Sequence, residues 1–372
     1  MVDLLGQYKN IKTEIDRVIN SVIKSSAFIR GPEVRAFEEE LADYLGVKHV
    51  IGCANGTDAL QIAMMGLGLN PGDEVITTDF TFIATVEVIA LLGLKPVFVD
   101  PDPVTFNISV DNIKKAITER TKVILPVHLF GQCADMNAIS ALAEKYNLFI
   151  IEDTAQATGA EYSFPGGKMQ KAGTIGDVGT TSFFPSKNLG CYGDGGALFT
   201  NNDELAVMFR SIANHGMTKK YYHDHIGVNS RLDSIQAAIL RVKLKHLDEY
   251  NSARQRAAGY YDQKLGNTRG LDIPARATNS SHIFHQYTLK IKEGLRDKLR
   301  TWLQEKDIPS MIYYPVPLHR QQAYSYLNYK SDDLPHTNNL AEEVLSLPMH
   351  TELTEEVQDY ICNAIGEFFD NN

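Results

Sequence analysis

Apolar residues near the start of the chain recur at the spacing of a helix face, which predicts helices over 11–24 and 36–45. From residue 49 onward, short apolar runs of strand length alternate with longer stretches at helical spacing. The predicted strands cover 49–53, 74–77, 96–100, 123–127, 148–151 and 196–199, and the predicted helices between them 58–67, 81–92, 110–117 and 136–145. Such alternation is typical of an α/β fold whose largely parallel sheet is covered by helices on both faces.

The pattern changes after residue 200, where helical sequence dominates. A helix over 202–212 is followed by a loop, and then by a long helix that starts near 232 and reaches about 265, with or without a break. The remaining predicted elements are a strand over 286–291, a helix over 296–306, a strand over 311–314 and a helix over 354–369. We therefore expect a large domain over residues 1–245 and a small α+β domain over 246–372, joined by the long helix.

Composition and charge narrow the class of protein. The chain has 372 residues, of which 44% are hydrophobic and 22% charged, as is typical of a globular protein with two cores. A net charge of -10 argues against nucleic acid or an anionic membrane as a partner. The four cysteines form no CxxC pair and the N-terminus has no signal-peptide pattern, so we expect a cytoplasmic protein without a zinc site.

Candidate chemistry lies where predicted strands end. Gly56 and Thr57 stand between a strand and a helix, where free backbone N–H groups can bind a phosphate, although the same residues suit an ordinary capped turn. Asp153 follows a buried strand, and its carboxylate suits either a structural ion pair or the protonated ring nitrogen of pyridoxal phosphate (PLP). Ligands of such sheets bind beyond the carboxyl ends of the strands, so these residues and the loop that contains Lys187 are expected to converge on one crevice.

Other residues supply what PLP also needs. Lys187 lies in a polar turn between the apolar run 182–184 and the strand 196–199; alone it is typical of a surface charge, but PLP requires such an amine. Phe82 suits a core position or a stacking face for a flat ring. Gln156 can hydrogen-bond the same ring, and Ser182 can donate its hydroxyl to the phosphate. The combination favours a PLP site over the separate structural interpretations.

With these motifs the chain resembles the DegT/DnrJ/EryC1/StrS family of PLP-dependent nucleotide-sugar aminotransferases. The motifs that carry the resemblance are Gly31-Pro32-Glu33, Ala54-Asn55-Gly56-Thr57-Asp58-Ala59-Leu60, Pro71-Gly72-Asp73-Glu74-Val75, Thr81-Phe82-Ile83-Ala84-Thr85, Glu152-Asp153-Thr154-Ala155-Gln156, Ser182-Phe183-Phe184-Pro185-Ser186-Lys187 and Asn229-Ser230-Arg231-Leu232-Asp233. The family has the aspartate-aminotransferase-like fold type I. Within it, the chain is similar to the WbpE/WlbE-type enzymes, which aminate C3 of a UDP-linked 3-keto hexuronic acid.

The resemblance implies a role for each matching residue. Lys187 would be the catalytic Schiff-base lysine, Asp153 would pair with the pyridine nitrogen, Gln156 would contact the ring hydroxyl and Phe82 would stack on the ring. The phosphate would be held by Gly56, Thr57 and Ser182, and by Asn229 of the neighbouring subunit. A homodimer with shared active sites is therefore implied.

The resemblance also implies the reaction, which is transfer of the amino group of L-glutamate to a keto sugar nucleotide for surface polysaccharide or related glycan synthesis. Arg231 would bind a carboxylate, with Arg30, Tyr313 and Tyr314 as further substrate contacts. Where the WbpE-type enzymes have His-Tyr-Pro, this chain has Tyr313-Tyr314-Pro315, which leaves the uronic acid open. Amination at C4, a dTDP-linked sugar, and a non-catalytic regulator that binds PLP or a nucleotide sugar are the alternatives.

Overall fold

The computed structural model describes residues 1–371. Its strands are β1 (His49–Cys53), β2 (Glu74–Thr78), β3 (Lys95–Val99), β4 (Thr121–Leu125), β5 (Phe149–Asp153), β6 (Glu161–Ser163), β7 (Met169–Lys171), β8 (Val178–Ser182), β9 (Gly196–Thr200), β10 (Met217–Lys219), β11 (Tyr222–His223), β12 (Leu271–Asp272), β13 (Tyr287–Ile291) and β14 (Val344–Leu347). Its α-helices are α1 (Leu4–Ser25), α2 (Pro32–Leu45), α3 (Gly56–Gly66), α4 (Ala84–Leu91), α5 (Val110–Ala116), α6 (Met136–Tyr146), α7 (Asp203–Ile212), α8 (Ser234–Leu244), α9 (Leu247–Leu265), α10 (Arg296–Glu305), α11 (Pro335–Glu343) and α12 (Glu355–Asp370).

A seven-stranded sheet in the order β1-β9-β8-β5-β4-β2-β3 forms the centre of the fold. All its strands run parallel except β9, which pairs antiparallel with both β1 and β8. The predicted α/β class with a mostly parallel sheet is confirmed. The strand β8 was not among the predicted strands: the apolar run 182–184 overlaps it only at Ser182, and Phe184, beyond its end, is exposed.

Helices cover both faces of the central sheet. Alternate residues of a strand point to opposite faces, so residues of both kinds are buried. Val75 and Val123 pack on one side with residues of α3 and α7, and Ile76 and Ile124 pack on the other with residues of α5 and α6. The central strands therefore show continuous apolar runs in the sequence. This packing fixes the carboxyl ends of the parallel strands, where the site described below lies.

A separate apolar core is built from the C-terminal part of the chain. Residues of α9, α10 and α12 pack there on the three-stranded antiparallel sheet β12-β13-β14. The domain boundary at residues 245 and 246 stays a prediction, and the last residue of that range, 372, lies outside the described residues. The long helix predicted from about 232 to 265, with or without a break, is two helices, because α8 ends at Leu244 and α9 begins at Leu247.

The strand predicted over 311–314 is wrong. Met311 forms only an isolated bridge to Ser346, and the third strand of the small sheet is β14, which pairs with β13. The chain around residue 313 instead packs against the apolar core of the large sheet. Its backbone is thereby free to present side chains to the cavity between the two cores.

Membrane-spanning helices and metal-binding clusters are both absent from residues 1–371. No helix in this range is both long and apolar enough to cross a bilayer. No cluster of acidic, histidine or cysteine side chains suited to a metal ion occurs in the same range. All four cysteines are buried and free of disulfides.

Candidate active site

A cavity of about 510 Å³ lies at the carboxyl ends of the parallel strands, between the large sheet and the C-terminal core. The site residues predicted from the sequence that line it are Gly56, Thr57, Phe82, Asp153, Gln156, Ser182, Lys187, Tyr313 and Tyr314. They come from separate segments of the chain, and the crossovers of the α/β fold bring them to one edge of the sheet. Only Arg30, Asn229 and Arg231 of the predicted residues lie elsewhere.

The N-terminus of α3 forms one end of the cavity. The side chain of Asn55 caps this helix by accepting a hydrogen bond from the backbone N–H of Asp58 at 2.8 Å. The backbone N–H groups of Gly56 and Thr57 belong to the first turn of α3, so they have no acceptor within the helix. They face the cavity at the N-terminus of the helix, which is the positive end of its dipole. This arrangement suits the phosphate of PLP.

Gly56 is required by the close approach of β8 to α3. A Cβ atom at this position would lie 2.7 Å from the Cβ of Ser182, which is closer than two carbon atoms can pack. The oxygen of Ser182 accepts a hydrogen bond from the backbone N–H of Phe184 at 3.3 Å, so its hydroxyl hydrogen stays free for an acceptor in the cavity. The glycine therefore lets the hydroxyl and the helix N-terminus face the same anion.

Asp153 ends β5 and is only 5% exposed. One of its carboxylate oxygens accepts a hydrogen bond from the hydroxyl of Thr85 at 3.0 Å and the other from the backbone N–H of Ala155 at 3.1 Å. Within residues 1–371 it makes no salt bridge. A buried carboxylate held by neutral donors is stabilised further by a cation, and the protonated ring nitrogen of PLP fits this requirement.

Lys187 lies on the wall of the same cavity, after a turn closed by the hydrogen bond from its backbone N–H to the carbonyl of Phe184 at 2.8 Å. Burial lowers the pKa of its amine from the ordinary value of 10.5 to about 8, although the charge of Asp153 acts in the opposite direction. A neutral amine is the nucleophilic form of lysine. The lowered pKa therefore gives Lys187 a larger fraction of the nucleophilic form near neutral pH than an exposed lysine has.

Phe82 and Tyr314 form an aromatic wall. Phe82 is 54% exposed, and it lies in a turn because α4 begins only at Ala84 and not at Thr81 as predicted. Its ring centroid lies 6.2 Å from that of Tyr314. The ring of Phe82 is thus available to stack on a flat ligand without leaving an apolar core.

Gln156 is oriented by two hydrogen bonds. Its carbonyl oxygen accepts the backbone N–H of Phe130 at 2.7 Å, so its amide nitrogen is the group that points toward the cavity, where it donates to the hydroxyl of Tyr314 at 3.0 Å. Burial raises the pKa of Tyr314, which therefore keeps its hydroxyl hydrogen. The wall presents hydrogen-bond donors to an oxygen-rich ligand.

Two residues of the site were missed by the sequence analysis. Thr85 orients Asp153, and the buried His285 lines the cavity with its Nδ1 3.2 Å from the side-chain oxygen of Asn188. Burial, together with the positive charges of Lys187 and Arg254, lowers the pKa of His285 well below its ordinary value, so the ring is neutral. Thr85 belongs to the motif around Phe82 and was within reach of sequence reasoning, whereas no local pattern marks His285.

Arg30, Asn229 and Arg231 do not reach Lys187 within one chain. Arg30 and Arg231 line a second cavity of about 460 Å³ next to α2 and β1, and Asn229 is exposed. Their positions follow from the bridge between Ile29 and Asp233, which ties the segment before α2 to the segment before α8. Their roles in binding substrate or phosphate stay predictions.

The geometry agrees with a comparison of sequences. A model of the DegT/DnrJ/EryC1/StrS aminotransferase family matches residues 9–366. The chain belongs to this family. It is therefore an enzyme, an aminotransferase, and the resemblance that the motifs indicated is confirmed.

Relatives of this aminotransferase are similar over almost their full length. It is 50% identical over 371 residues to the "Pleiotropic regulatory protein" of Geobacillus stearothermophilus, with 99% of the chain and 98% of the relative covered. It is 47% identical to the UDP-2-acetamido-2-deoxy-3-oxo-D-glucuronate aminotransferase of Pseudomonas aeruginosa, with 98% of both covered. It is 46% identical to the UDP-N-acetyl-3-dehydro-alpha-D-glucosamine 3-aminotransferase of Acidithiobacillus ferrooxidans, with 98% and 96% covered.

Solved structures support the fold of the aminotransferase. The crystal structure of DesV from S. venezuelae matches with a TM-score of 0.95 and 39% identity, covering 99% of this chain and 97% of that one. The structure of NtdA from Bacillus subtilis, with bound cofactor PMP, matches with a TM-score of 0.90 and 33% identity, covering 97% and 82%. The predicted fold of a PLP aminotransferase is confirmed by these similarities.

Proposed function

We propose that this aminotransferase uses PLP to transfer the amino group of L-glutamate to the C3 keto group of a UDP-linked sugar. The observation that carries the proposal is the single cavity that joins a helix N-terminus, a buried carboxylate that makes no salt bridge within residues 1–371, and a lysine whose pKa is lowered. The relatives from P. aeruginosa and A. ferrooxidans, whose names describe amination of UDP-linked 3-oxo sugars, support the substrate class.

The cofactor predicted from the sequence is confirmed by the family match and by the solved relatives in PMP or PLP form. When bound, PLP withdraws electrons from the carbon that carries the amino group. Gly56, Thr57 and Ser182 would hold its phosphate, and Phe82 would lie against its ring. Asp153 would keep the ring nitrogen protonated, because its buried carboxylate favours a positive charge beside it.

Lys187 would do the proton chemistry of the cycle. Its amine would bind the cofactor at rest, and substrate binding would release it into a site where it is largely neutral above about pH 8. The free amine would take the proton from the amino-acid carbon and would hold it at its nitrogen atom for return. For the keto sugar Lys187 would move the proton in the opposite direction, and Tyr313 and Tyr314 would lie beside the sugar.

A homodimer would complete this site. Asn229 is exposed, and neither Arg30 nor Arg231 makes a hydrogen bond or salt bridge to any residue in the range 1–371, so all are available to a second subunit. In the dimer Asn229 would reach the phosphate of the partner's cofactor, and Arg231 would bind a carboxylate of L-glutamate or of a uronic acid. The free cysteines support a cytoplasmic location.

The relative named as a pleiotropic regulatory protein raises the alternative of a non-catalytic regulator. That alternative is not favoured, because Lys187, Asp153 and the helix N-terminus are assembled as chemistry requires and a binding protein needs no amine of lowered pKa. Relatives that act on dTDP-linked sugars keep that nucleotide as the second candidate substrate. Amination at C4 is the second candidate for the position.

The test combines purified protein, PLP and L-glutamate with a panel of 3-keto and 4-keto sugars linked to UDP or dTDP. We expect 2-oxoglutarate and an amino sugar, with NMR locating the new amine at C3 of a UDP-linked sugar. Lys187→Ala is expected to be inactive. A wild-type protein whose visible PLP absorbance does not respond to L-glutamate, or a Lys187→Ala variant that still turns over, would contradict the proposal.

Subunit mixing tests the shared site. Lys187→Ala and Asn229→Ala homodimers would each be weak or inactive, and a mixed dimer would contain one site free of both substitutions. Activity that returns on co-expression supports sharing. No return in a mixed dimer that is shown to form contradicts it.

A further inference from the structure

A buried pair, Asp79 and His319, lies one layer behind the wall of the active-site cavity. Asp79 follows β2, and His319 lies in the short 3-10 helix Leu318–Arg320. One carboxylate oxygen of Asp79 accepts the backbone N–H of His319 at 2.8 Å, and the other lies 2.6 Å from its Nδ1. The two contacts fix both the backbone and the ring of one residue.

The pair connects the two sides of the aromatic wall. Asp79 precedes Phe82 by three residues and His319 follows Tyr314 by five. Between Tyr314 and His319 the chain contains Pro315 and Pro317, whose fixed backbone angles stiffen the connection. The placement of Tyr314 opposite Phe82 therefore depends on where residue 319 is attached.

Asp79 makes the only side-chain hydrogen bond to the ring of His319 within residues 1–371, and the ring of Tyr329 lies near it with the ring centroids 6.2 Å apart. The Nε2 of His319 is buried and makes no hydrogen bond to any of the residues 1–371. Asp79, for its part, is a buried carboxylate and needs donors to remain there. Each side chain thus depends on the other, and neither lines the cavity.

We propose that Asp79 and His319 are positioning residues for the aromatic wall of Phe82 and Tyr314. They hold Tyr314 at its distance from Phe82 and from the amide of Gln156, and so set the affinity for the keto sugar without touching it. This inference rests on the proposed function, in which Tyr313 and Tyr314 lie beside the sugar.

The test compares His319→Phe, which removes the ring donor, with His319→Asn, whose amide nitrogen can replace Nδ1. We expect His319→Phe to raise the KM for the keto sugar about tenfold, with kcat and the half-reaction with L-glutamate changed less than about twofold. His319→Asn is expected to restore most of the lost affinity. Asp79→Asn keeps the side-chain shape and serves in place of His319→Phe if that variant does not fold.

Glu74→Gln is the matched control. Glu74 is a buried carboxylate at the opposite end of β2, hydrogen-bonded to Lys95 and Arg120. Its substitution is expected to lower the thermal midpoint and leave the KM for the keto sugar unchanged. The proposal is overturned if His319→Phe behaves like Glu74→Gln, or if His319→Asn fails to differ from His319→Phe.

Hydrogen–deuterium exchange separates this inference from the proposed function. Without any substrate, the backbone amides of the non-proline residues in the range 312–319 are expected to exchange faster in His319→Phe than in the wild type. If no keto sugar nucleotide reacts with the wild type, the proposed function fails and the exchange result still stands. Unchanged exchange in this segment overturns the positioning role.

Discussion

Replacing Lys187 by methionine is expected to abolish the activity with PLP and to make the cofactor-free protein more stable at neutral pH. Methionine has a similar volume and no charge, so the change removes the cost of burying an ammonium group while it keeps the packing. In the wild type this cost appears as the fall of the pKa of Lys187 from 10.5 to about 8. One pKa unit corresponds to about 1.4 kcal/mol, so the cost is about 3 kcal/mol.

The sign of the pH dependence follows from proton binding. Between about pH 8 and 10.5 the unfolded chain keeps the proton of Lys187 while the folded chain has lost it. The free energy of unfolding therefore rises with pH across this window, and below about pH 8 the full cost is present. From about pH 7 to about pH 10 the wild type should gain about 2.5 kcal/mol relative to Lys187→Met.

The assay is urea unfolding of both cofactor-free proteins across this pH range. Other groups titrate in both proteins, so the difference between the two curves isolates Lys187. Lys9→Met, at an exposed position on α1, controls for the loss of one positive charge. Curves of wild type and Lys187→Met that run parallel from neutral to alkaline pH would refute the reasoning.

Further predictions concern the phosphate end, the aromatic wall and the carboxylate. Gly56→Ala should weaken PLP binding at least about tenfold in a spectroscopic titration, because the added Cβ atom would lie 2.7 Å from the Cβ atom of Ser182. The control is Gly259→Ala on α9, where the added atom meets open space, and it should leave PLP binding unchanged. Phe82→Ala should weaken PLP binding up to about tenfold and leave the thermal midpoint of the cofactor-free protein unchanged, because Phe82 is 54% exposed. Phe80→Ala, by contrast, should lower the free energy of unfolding by about 3–5 kcal/mol, because that side chain is 1% exposed. Asp153→Asn should lower kcat about 100-fold in steady-state assays, with the fold unchanged by circular dichroism; retained kcat would contradict the role given to its charge.

The sequence by itself determined six of the seven strands of the central sheet, all except β8, and most of the cavity. Strand and helix periods are local properties, so the alternation from residue 49 to residue 153 predicted the parallel sheet. Parallel strands have their carboxyl ends at one edge of the sheet, and from that rule alone Gly56, Asp153 and Lys187 were expected to share one crevice, as they do. Residue type was enough to assign these residues to one site, because the alternation of strands and helices largely fixes the topology of a parallel sheet.

Tertiary structure alone decided how the remaining parts meet. Nothing local shows that β14 replaces the segment 311–314 in the small sheet, because pairing partners lie far apart in the sequence. The same holds for His319, whose contact with Asp79 joins residues 240 positions apart. The lowered pKa of Lys187 and the separation of Arg30 and Arg231 from it likewise depend on burial and long-range packing, which a pattern of neighbouring residues does not contain.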